Sequence, residues 1–188
     1  MRQTEKKMLY INRSDQVCRT IEAGGVVALP TEAVWGLSCQ HDNLNAVSRT
    51  LRIKGRHPEK GLILLVTSFQ QLAPWYATEL LPEALIELGR PSTWVIPVNK
   101  FCPKILTGGR STLAIRRVSM PSLVKIIDRC GPVVSTSVNR SGRKALTSRR
   151  DVVFQFRHYV DTIAYGRTQG YLKPSKIRIM KTGGIVRD

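Results

Sequence analysis

The feature that most restricts the fold is an uninterrupted apolar run, Leu-Ile-Leu-Leu-Val, at residues 62–66. Successive side chains of a strand point to opposite faces, so five apolar residues in a row predict a strand that is covered on both sides. A second apolar run at residues 26–29 predicts another buried strand, which stops at Pro30 because proline cannot donate to a sheet ladder. Two such strands favour an α/β fold.

Helical segments alternate with these runs, without a regular strand–helix–strand period. A helix is predicted at residues 14–23, where Ser14 or Asp15 can cap it and Gly24 with Gly25 ends it. Further helices are predicted after the cap Asn43, with Leu44, Val47 and Leu51 on one face, at 121–129, and at 148–156 behind a Ser148–Asp151 capping box.

Further strands are predicted at 93–98, 113–115, 133–134, 176–180 and 185–187. No repeat, low-complexity tract or linker divides the chain. We therefore predict a single α/β domain over residues 1–188, with a twisted mixed sheet of parallel and antiparallel strands, flanking helices and a loosely ordered N-terminus at 1–10.

The charge is extreme, because 30 lysines and arginines against 13 acidic residues give a formal net charge of +17. Such a field attracts polyanions, either nucleotides or nucleic acid. A generally basic surface without a specific partner is the alternative. Basic residues are spread along the whole chain, so composition does not decide between the two.

Composition points away from metal, redox and membrane proteins. The four cysteines contain no C-x-x-C pair and the three histidines no metal-type pairing, so we expect reduced, structural thiols. No apolar run approaches the roughly 20 residues of a membrane span, and no apolar region follows the charged first residues. We expect a cytoplasmic protein.

Three polar segments follow or precede predicted strands, where ligands often bind in α/β sheets. They are Pro-Thr-Glu-Ala-Val-Trp-Gly at 30–36, a cationic stretch from Lys54-Gly55-Arg56 to Lys60, and the hydroxyl-rich Ser-Thr-Ser-Val-Asn-Arg-Ser-Gly at 135–142. Taken singly, each is also explained as a turn, a capped loop or a solvated charge cluster.

Together and in this order, these motifs resemble the YrdC family of threonylcarbamoyl-AMP synthases in its short bacterial form. The resemblance covers residues 11–188 and includes two further motifs, Leu-Ala-Ile-Arg at 113–116 and Pro-Ser-Lys-Ile-Arg at 174–178. It implies a YrdC-like fold and a nucleotidyltransferase that forms L-threonylcarbamoyladenylate and pyrophosphate from L-threonine, bicarbonate or CO₂, and ATP. The product serves threonylcarbamoyl-adenosine modification of tRNA next to the anticodon.

The resemblance also implies roles for individual residues. Lys54 and Arg56 are the expected catalytic residues. The expected L-threonine contacts are Thr31, Arg116, Ser135 and Ser175, and the expected ATP contacts are Arg56, Lys60, Thr112, Ser137, Asn139 and Arg187. Mg²⁺ is expected through the ATP phosphates, near Ser137 and Asn139. Proteins that transfer threonylcarbamoyl to tRNA are expected partners.

Two departures from the family pattern stand out. A Trp-Pro-Gly-Pro-x-Thr turn is replaced by Leu-Gly-Arg-Pro-Ser-Thr at 88–93, which keeps only Pro91 and Thr93. Val138 stands where alanine is common, which adds bulk beside the 135–142 loop. The changed turn either merely supports the fold or lowers activity.

A second hypothesis is a catalysis-free module that binds double-stranded RNA, rRNA or tRNA through its basic surface. The two hypotheses are compatible, and tRNA or double-stranded RNA is also an expected partner of the enzyme through that surface. Aromatic residues are only 6% of the chain, which argues against stacking platforms for single-stranded RNA. Threonine-dependent release of pyrophosphate from ATP separates the enzyme from the RNA binder.

Overall fold

A mixed β-sheet forms the centre of the computed structural model, which describes residues 13–76, 91–171, 175–180 and 184–187. The strands in chain order are β1 (Val27–Pro30), β2 (Trp35–Gln40), β3 (Ile63–Val66), β4 (Ser92–Pro97), β5 (Thr112–Arg117), β6 (Val133–Ser137), β7 (Thr162–Ile163), β8 (Lys176–Ile179) and β9 (Ile185–Arg187). Their order across the sheet is β7-β1-β2-β6-β3-β5-β4-β8-β9. The pairs β1/β7, β3/β5 and β4/β8 are parallel and the other described pairs are antiparallel, which confirms the predicted mixed α/β sheet.

Helices cover both faces of the sheet. They are α1 (Arg13–Glu22), α2 (Leu44–Lys54), α3 (Lys104–Thr107), α4 (Pro121–Cys130) and α5 (Arg149–Phe156). Leu64 and Val66 belong to one hydrophobic cluster, with side chains of α2 and α5, whereas Leu65 belongs to a second cluster with side chains of α1 and α4. The prediction that the 62–66 run forms a strand covered on both sides is confirmed. We refer to the α2/α5 face and the α1/α4 face.

Helix α2 begins at the predicted cap, because Asn43 Oδ1 accepts a hydrogen bond from Ala46 N at 3.0 Å. The prediction that Leu44 shares the buried face with Val47 and Leu51 is wrong. Leu44 is 46% exposed. The buried stripe runs through positions 46, 47, 50, 51, 53 and 54, and at 3.6 residues per turn Leu44 lies about 100° from its centre.

Strands β2 and β7 were not among the predicted elements. The β2 sequence Trp-Gly-Leu-Ser-Cys-Gln mixes glycine and serine with apolar residues, yet the strand is almost wholly buried between β1 and β6. Trp35 and Leu37 pack in the cluster on the α2/α5 face. Gly36 therefore faces the other side of the sheet, where its lack of a side chain matters for the cleft described below.

The four cysteines are buried and free. Burial raises the pKa of Cys39 and of Cys102 to about 11, so both stay protonated near neutral pH. In the described ranges no helix is long and apolar enough to cross a membrane. The predicted loosely ordered stretch at 1–10 lies outside the described residues.

Candidate active site

An open cleft of about 480 Å³ lies on the α1/α4 face of the sheet. Strand β5 shows why it opens there. Leu113 and Ile115 point into the hydrophobic cluster on the α2/α5 face, so Thr112, Ala114 and Arg116 point the other way, and these three line the cleft. Small and polar side chains of β5 thus occupy this part of the sheet face, beside apolar lining residues such as Val95 and Ile177.

The cleft brings together side chains from all three polar segments. Thr31, Arg56 and Ser137 all line it, which confirms the predicted convergence of the segments. The predicted site residues that line the cleft are Thr31, Arg56, Lys60, Thr112, Arg116, Ser135, Ser137 and Ser175. Lys54 and Asn139 are not among the lining residues, and the side chain of Arg187 lies outside the described part of the chain.

Three cations stand together at one end of the cleft. Arg56 donates from Nε to Gly61 O at 3.0 Å and from Nη2 to Lys60 O at 3.1 Å. Arg110, a lining residue that the sequence analysis missed, donates from both Nη atoms to Glu59 O at 2.7 Å. Burial, and then the neighbouring Arg110, lower the pKa of Arg56. Like charges held at such close quarters favour a polyanionic ligand.

Close backbone packing holds this cationic segment in place. Gly108, which ends α3, has a φ of +68°, and a Cβ added there would lie 2.4 Å from Glu59 O. Leu62 N donates to Leu106 O at 2.9 Å. Glycine is required both by the left-handed backbone and by the contact. The packing brings Arg110, two residues after Gly108, to the side of Arg56.

A buried ion pair adjoins the cleft, which Arg116 lines and Glu32 does not. Arg116 Nη2 lies 3.3 Å from Glu32 Oε2, and both side chains are buried. Neither Glu32 Oε2 nor Arg116 Nε has a hydrogen-bond partner among the described residues. Burial lowers the pKa of Arg116 and Glu32 opposes that shift, and the guanidinium stays charged. Because Arg116 lines the cleft, its guanidinium is suited to bind an anionic oxygen such as a ligand carboxylate.

Hydroxyl groups and a glycine shape the cleft near β2 and β6. A Cβ added to Gly36 would lie 2.7 Å from Ser135 Oγ and 3.5 Å from Thr31 Cγ2, so the glycine leaves room between these two side chains. Ser175 Oγ lies 2.7 Å from Thr93 Oγ1, and both residues are buried. Thr93 thus holds a lining serine in position, whereas 88–90 of the changed turn lie outside the described residues.

Lys54 lies beneath the cleft, with only 4% of its surface exposed. Its Nζ donates to Ser137 O at 2.6 Å and Oγ at 3.0 Å, and to Asn139 Oδ1 at 2.6 Å and O at 3.2 Å. Ser137 Oγ also donates to Asn139 Oδ1 at 2.7 Å. The predicted catalytic lysine therefore contacts the 135–142 loop from the side away from the cleft. The described acceptors of its ammonium are carbonyl, hydroxyl and amide oxygens, and none of them is a carboxylate.

This network leaves little room for a protein-bound metal. The oxygens of Ser137 and Asn139 that were expected near Mg²⁺ both accept hydrogen bonds from the Lys54 ammonium. An ammonium at the same oxygens repels a divalent cation. Within the described residues, no three or more His, Cys, Asp or Glu side chains group together as a metal site.

Burial of Lys54 makes the free energy of unfolding vary with pH in the alkaline range. Desolvation, and then the neighbouring Arg56, lower the pKa of Lys54 from 10.5 to about 8. Between these values the unfolded chain keeps a proton that the folded chain has lost, so this group's contribution to the free energy of unfolding rises with pH. We expect the unfolding free energy of the wild type relative to Lys54→Met, from urea titrations, to increase from pH 8 to 10.5. A difference that stays constant with pH would contradict the lowered pKa.

Val138 lies in the hydrophobic cluster on the α2/α5 face and is fully buried. Its backbone N donates to Trp35 O at 2.7 Å. The prediction that Val138 adds bulk beside the 135–142 loop is wrong, because the side chain points into the core and not into the cleft.

The sequence model of the Sua5/YciO/YrdC family, described as "Telomere recombination", matches residues 19–187, and the chain belongs to this family. A threonylcarbamoyl-AMP synthase of Pseudomonas fluorescens (strain Pf0-1) is 39% identical over 180 residues, which are 93% of this chain and 96% of the relative.

Solved structures agree with the family assignment. P. abyssi Sua5 complexed with L-threonine has a TM-score of 0.81 and 29% identity, and the match covers 92% of this chain and 52% of that chain. This chain thus spans about half the length of that Sua5. E. coli YciO shares the fold, with a TM-score of 0.77 and 24% identity over 93% of this chain and 88% of YciO.

Proposed function

We propose that this chain is an L-threonylcarbamoyladenylate synthase, which forms its product and pyrophosphate from L-threonine, bicarbonate or CO₂, and ATP. The observation that carries the proposal is one cleft that is lined by a cation cluster and by the largely buried guanidinium of Arg116. Thr112, near the cations, and Arg116 are four residues apart on β5, about 13 Å at 3.3 Å per residue. That spacing suits phosphates at one end and an amino-acid carboxylate at the other. The name of the P. fluorescens relative and the threonine complex of Sua5 support the proposal.

The reaction needs positioning and charge stabilisation more than a protein nucleophile. The threonine amine adds to CO₂ and loses a proton to give a carbamate. A carbamate oxygen then attacks the α-phosphorus of ATP, and the bond to the bridging oxygen of pyrophosphate breaks. Arg56, Lys60 and Arg110 are placed to offset the charge that develops on the leaving pyrophosphate.

The remaining lining residues divide between the two substrates. Arg116 binds the threonine carboxylate in this proposal, with hydroxyl contacts from Thr31, Ser135 and Ser175. Thr112 and Ser137 lie on the nucleotide side. Arg187 stays a predicted nucleotide contact. Lys54 and Asn139 act from beneath by holding Ser137 and by adding positive charge under the nucleotide.

Magnesium is proposed to arrive with ATP and to be held by its phosphates, where it neutralises charge. Ser137 and Asn139 do not fit as its protein ligands because the Lys54 ammonium engages their oxygens. We further propose that the product passes to proteins that transfer threonylcarbamoyl to tRNA, in the cytoplasm. The matched relatives favour this enzyme over the catalysis-free RNA-binding module.

The decisive experiment is pyrophosphate release from ATP by the purified chain. We expect release only when L-threonine, bicarbonate and Mg²⁺ are all present, together with a product of the mass of threonylcarbamoyl-AMP. Reactions without threonine or without bicarbonate are the controls. Release that does not depend on threonine, or no release at all, would overturn the proposal.

Gly36→Ala is expected to lower kcat/KM for threonine on the order of 10²-fold, since small misplacements at a reacting site have effects of this size. The added Cβ would stand 2.7 Å from Ser135 Oγ and must displace it. The double variant Gly36→Ala, Ser135→Ala relieves that contact, so its melting temperature should return toward the wild-type value while activity stays low. Wild-type kcat/KM in Gly36→Ala would contradict this role.

A further inference from the structure

Thr93 lies beside Arg116 on the cleft face of the sheet but does not itself line the cleft. Its neighbours Trp94 and Ile96 point into the cluster on the α2/α5 face, so Thr93 points the other way. Trp94 pairs with Ile115 in the antiparallel β4/β5 ladder, which makes Thr93 and Arg116 the next pair along. The Cβ atoms of two such residues stand about 5 Å apart. Thr93 is 0% exposed, so it acts on a ligand only through its neighbours.

The second neighbour of Thr93 is Ser175, which does line the cleft. The two hydroxyl oxygens are 2.7 Å apart, and both residues are buried. The backbone beside Ser175 is held as well, because Lys176 N donates to Pro91 O at 3.1 Å. Pro91 and Thr93 are the two residues of the family pattern that the changed turn keeps. Both of them hold the segment that carries Ser175.

A threonine is well suited to fix the direction of a neighbouring hydroxyl. Its branched Cβ restricts χ1, so the position of Thr93 Oγ1 varies little. A serine hydroxyl has one donor and two acceptor positions, and Thr93 uses one of these three on Ser175. Whichever oxygen donates, this bond restricts rotation of the Ser175 hydroxyl and sets the directions of its other positions.

We propose that Thr93 is a positioning residue, which aims the Ser175 hydroxyl at the side-chain hydroxyl of a β-hydroxy amino acid. The inference rests on the proposed function, in which Arg116 binds the carboxylate of L-threonine. The carboxylate and the hydroxyl-bearing Cβ of that amino acid are both attached to its Cα, so the groups that recognise them must be close together. Thr93 is the residue that adjoins both Arg116 and Ser175 among the described contacts.

Selectivity for the hydroxyl follows from this arrangement. A site built to hydrogen-bond a substrate hydroxyl discriminates against the analogue that lacks it. The test therefore compares the binding of L-threonine with that of L-2-aminobutyrate, which differs only in lacking the hydroxyl, by isothermal titration calorimetry. We expect the wild type to prefer L-threonine. Thr93→Val keeps the branched shape without the hydroxyl and should lower this preference about five-fold, the effect of one neutral hydrogen bond.

Two variants serve as controls for the role of the Thr93 hydroxyl. Thr93→Ser keeps the hydroxyl and should retain most of the preference for L-threonine. Thr50→Val is the matched control, because Thr50 is also fully buried and its hydroxyl donates to Ala46 O and contacts Cys39 Sγ, away from the cleft. It should leave the preference unchanged.

Ser175→Ala removes the hydroxyl that Thr93 holds, so it should lower the preference at least as much as Thr93→Val. Adding Thr93→Val to Ser175→Ala should lower it no further, because the two residues act through one contact. A merely structural role of Thr93 would weaken both ligands equally and leave the ratio of their Kd values unchanged, which would overturn the inference. So would an unchanged ratio in Ser175→Ala, a wild type that binds both ligands equally, or a Thr93→Ser variant that loses the preference as fully as Thr93→Val. The measurement is one of binding, so its failure is distinguishable from failure of the synthase in the pyrophosphate assay.

Discussion

Replacement of Arg56 by alanine should lower threonine-dependent pyrophosphate release by about 10²-fold or more, comparable to the loss of one preorganised donor to a developing charge. Arg56 lines the cleft beside Lys60 and Arg110, and its orientation is set by bonds to two backbone carbonyls. Arg56→Lys keeps the charge but loses the planar guanidinium and those hydrogen bonds, so its activity should fall between that of Arg56→Ala and that of the wild type.

Two measurements separate catalysis from folding in this experiment. Arg52→Ala removes an exposed arginine from the last turn of α2, which ends two residues before Arg56; Arg52 lies outside the cleft, and the variant should keep wild-type activity. Melting temperatures of the three variants show whether the 58–62 segment stays in place. Full activity in Arg56→Ala at an unchanged melting temperature would move this residue out of the active site.

Replacement of Arg116 by leucine is expected to be the most destabilising single change described here. It leaves the Glu32 carboxylate, only 2% exposed, without its counter-charge. Removal of one partner of a buried ion pair costs about 3–5 kcal/mol, which urea titration of the variant measures directly. Activity is expected to be lost as well, because the proposed carboxylate contact is gone.

The double variant Glu32→Gln, Arg116→Gln distinguishes the two effects. Neutralising both partners removes the uncompensated charge, so most of the lost stability should return. The wild-type KM for threonine should not return, because neutral amides cannot replace the guanidinium as the partner of a carboxylate. A double variant with the wild-type KM for threonine would show that Arg116 serves only the ion pair.

Strong local signals made much of the fold predictable. The 62–66 run required cover on both faces, and the structure divides Leu64 and Leu65 between two cores. Asn43 and Ser148 are caps because their side chains accept hydrogen bonds from the backbone N–H three residues ahead. By contrast β2 is buried by its neighbours in the sheet, and its own composition carries no strand pattern.

The site was predictable as a set of segments, but long-range packing decides which side chains meet. Arg110 reaches Arg56 only because Gly108 packs on the backbone of Glu59, about fifty residues away in sequence. Lys54 looked like a partner of Arg56 at the phosphates, since the two are neighbours in Lys-Gly-Arg. The Lys54 ammonium at the end of α2 instead points toward Ser137 and Asn139. No periodicity in the sequence predicts that direction.

The place of β6 in the sheet has a consequence for synthesis of the chain. Strands β2 and β3 do not pair with each other, and β6, which begins only at Val133, joins them. Thr31 and Gly36 are therefore attached to one part of the sheet, and Arg56 and Arg116 to another, until β6 leaves the ribosome. We expect a nascent chain that lacks β6 to hold two separate half-sites, whose unpaired strand edges are prone to wrong pairing. The cleft becomes a single binding site only when β6 has joined the two parts of the sheet.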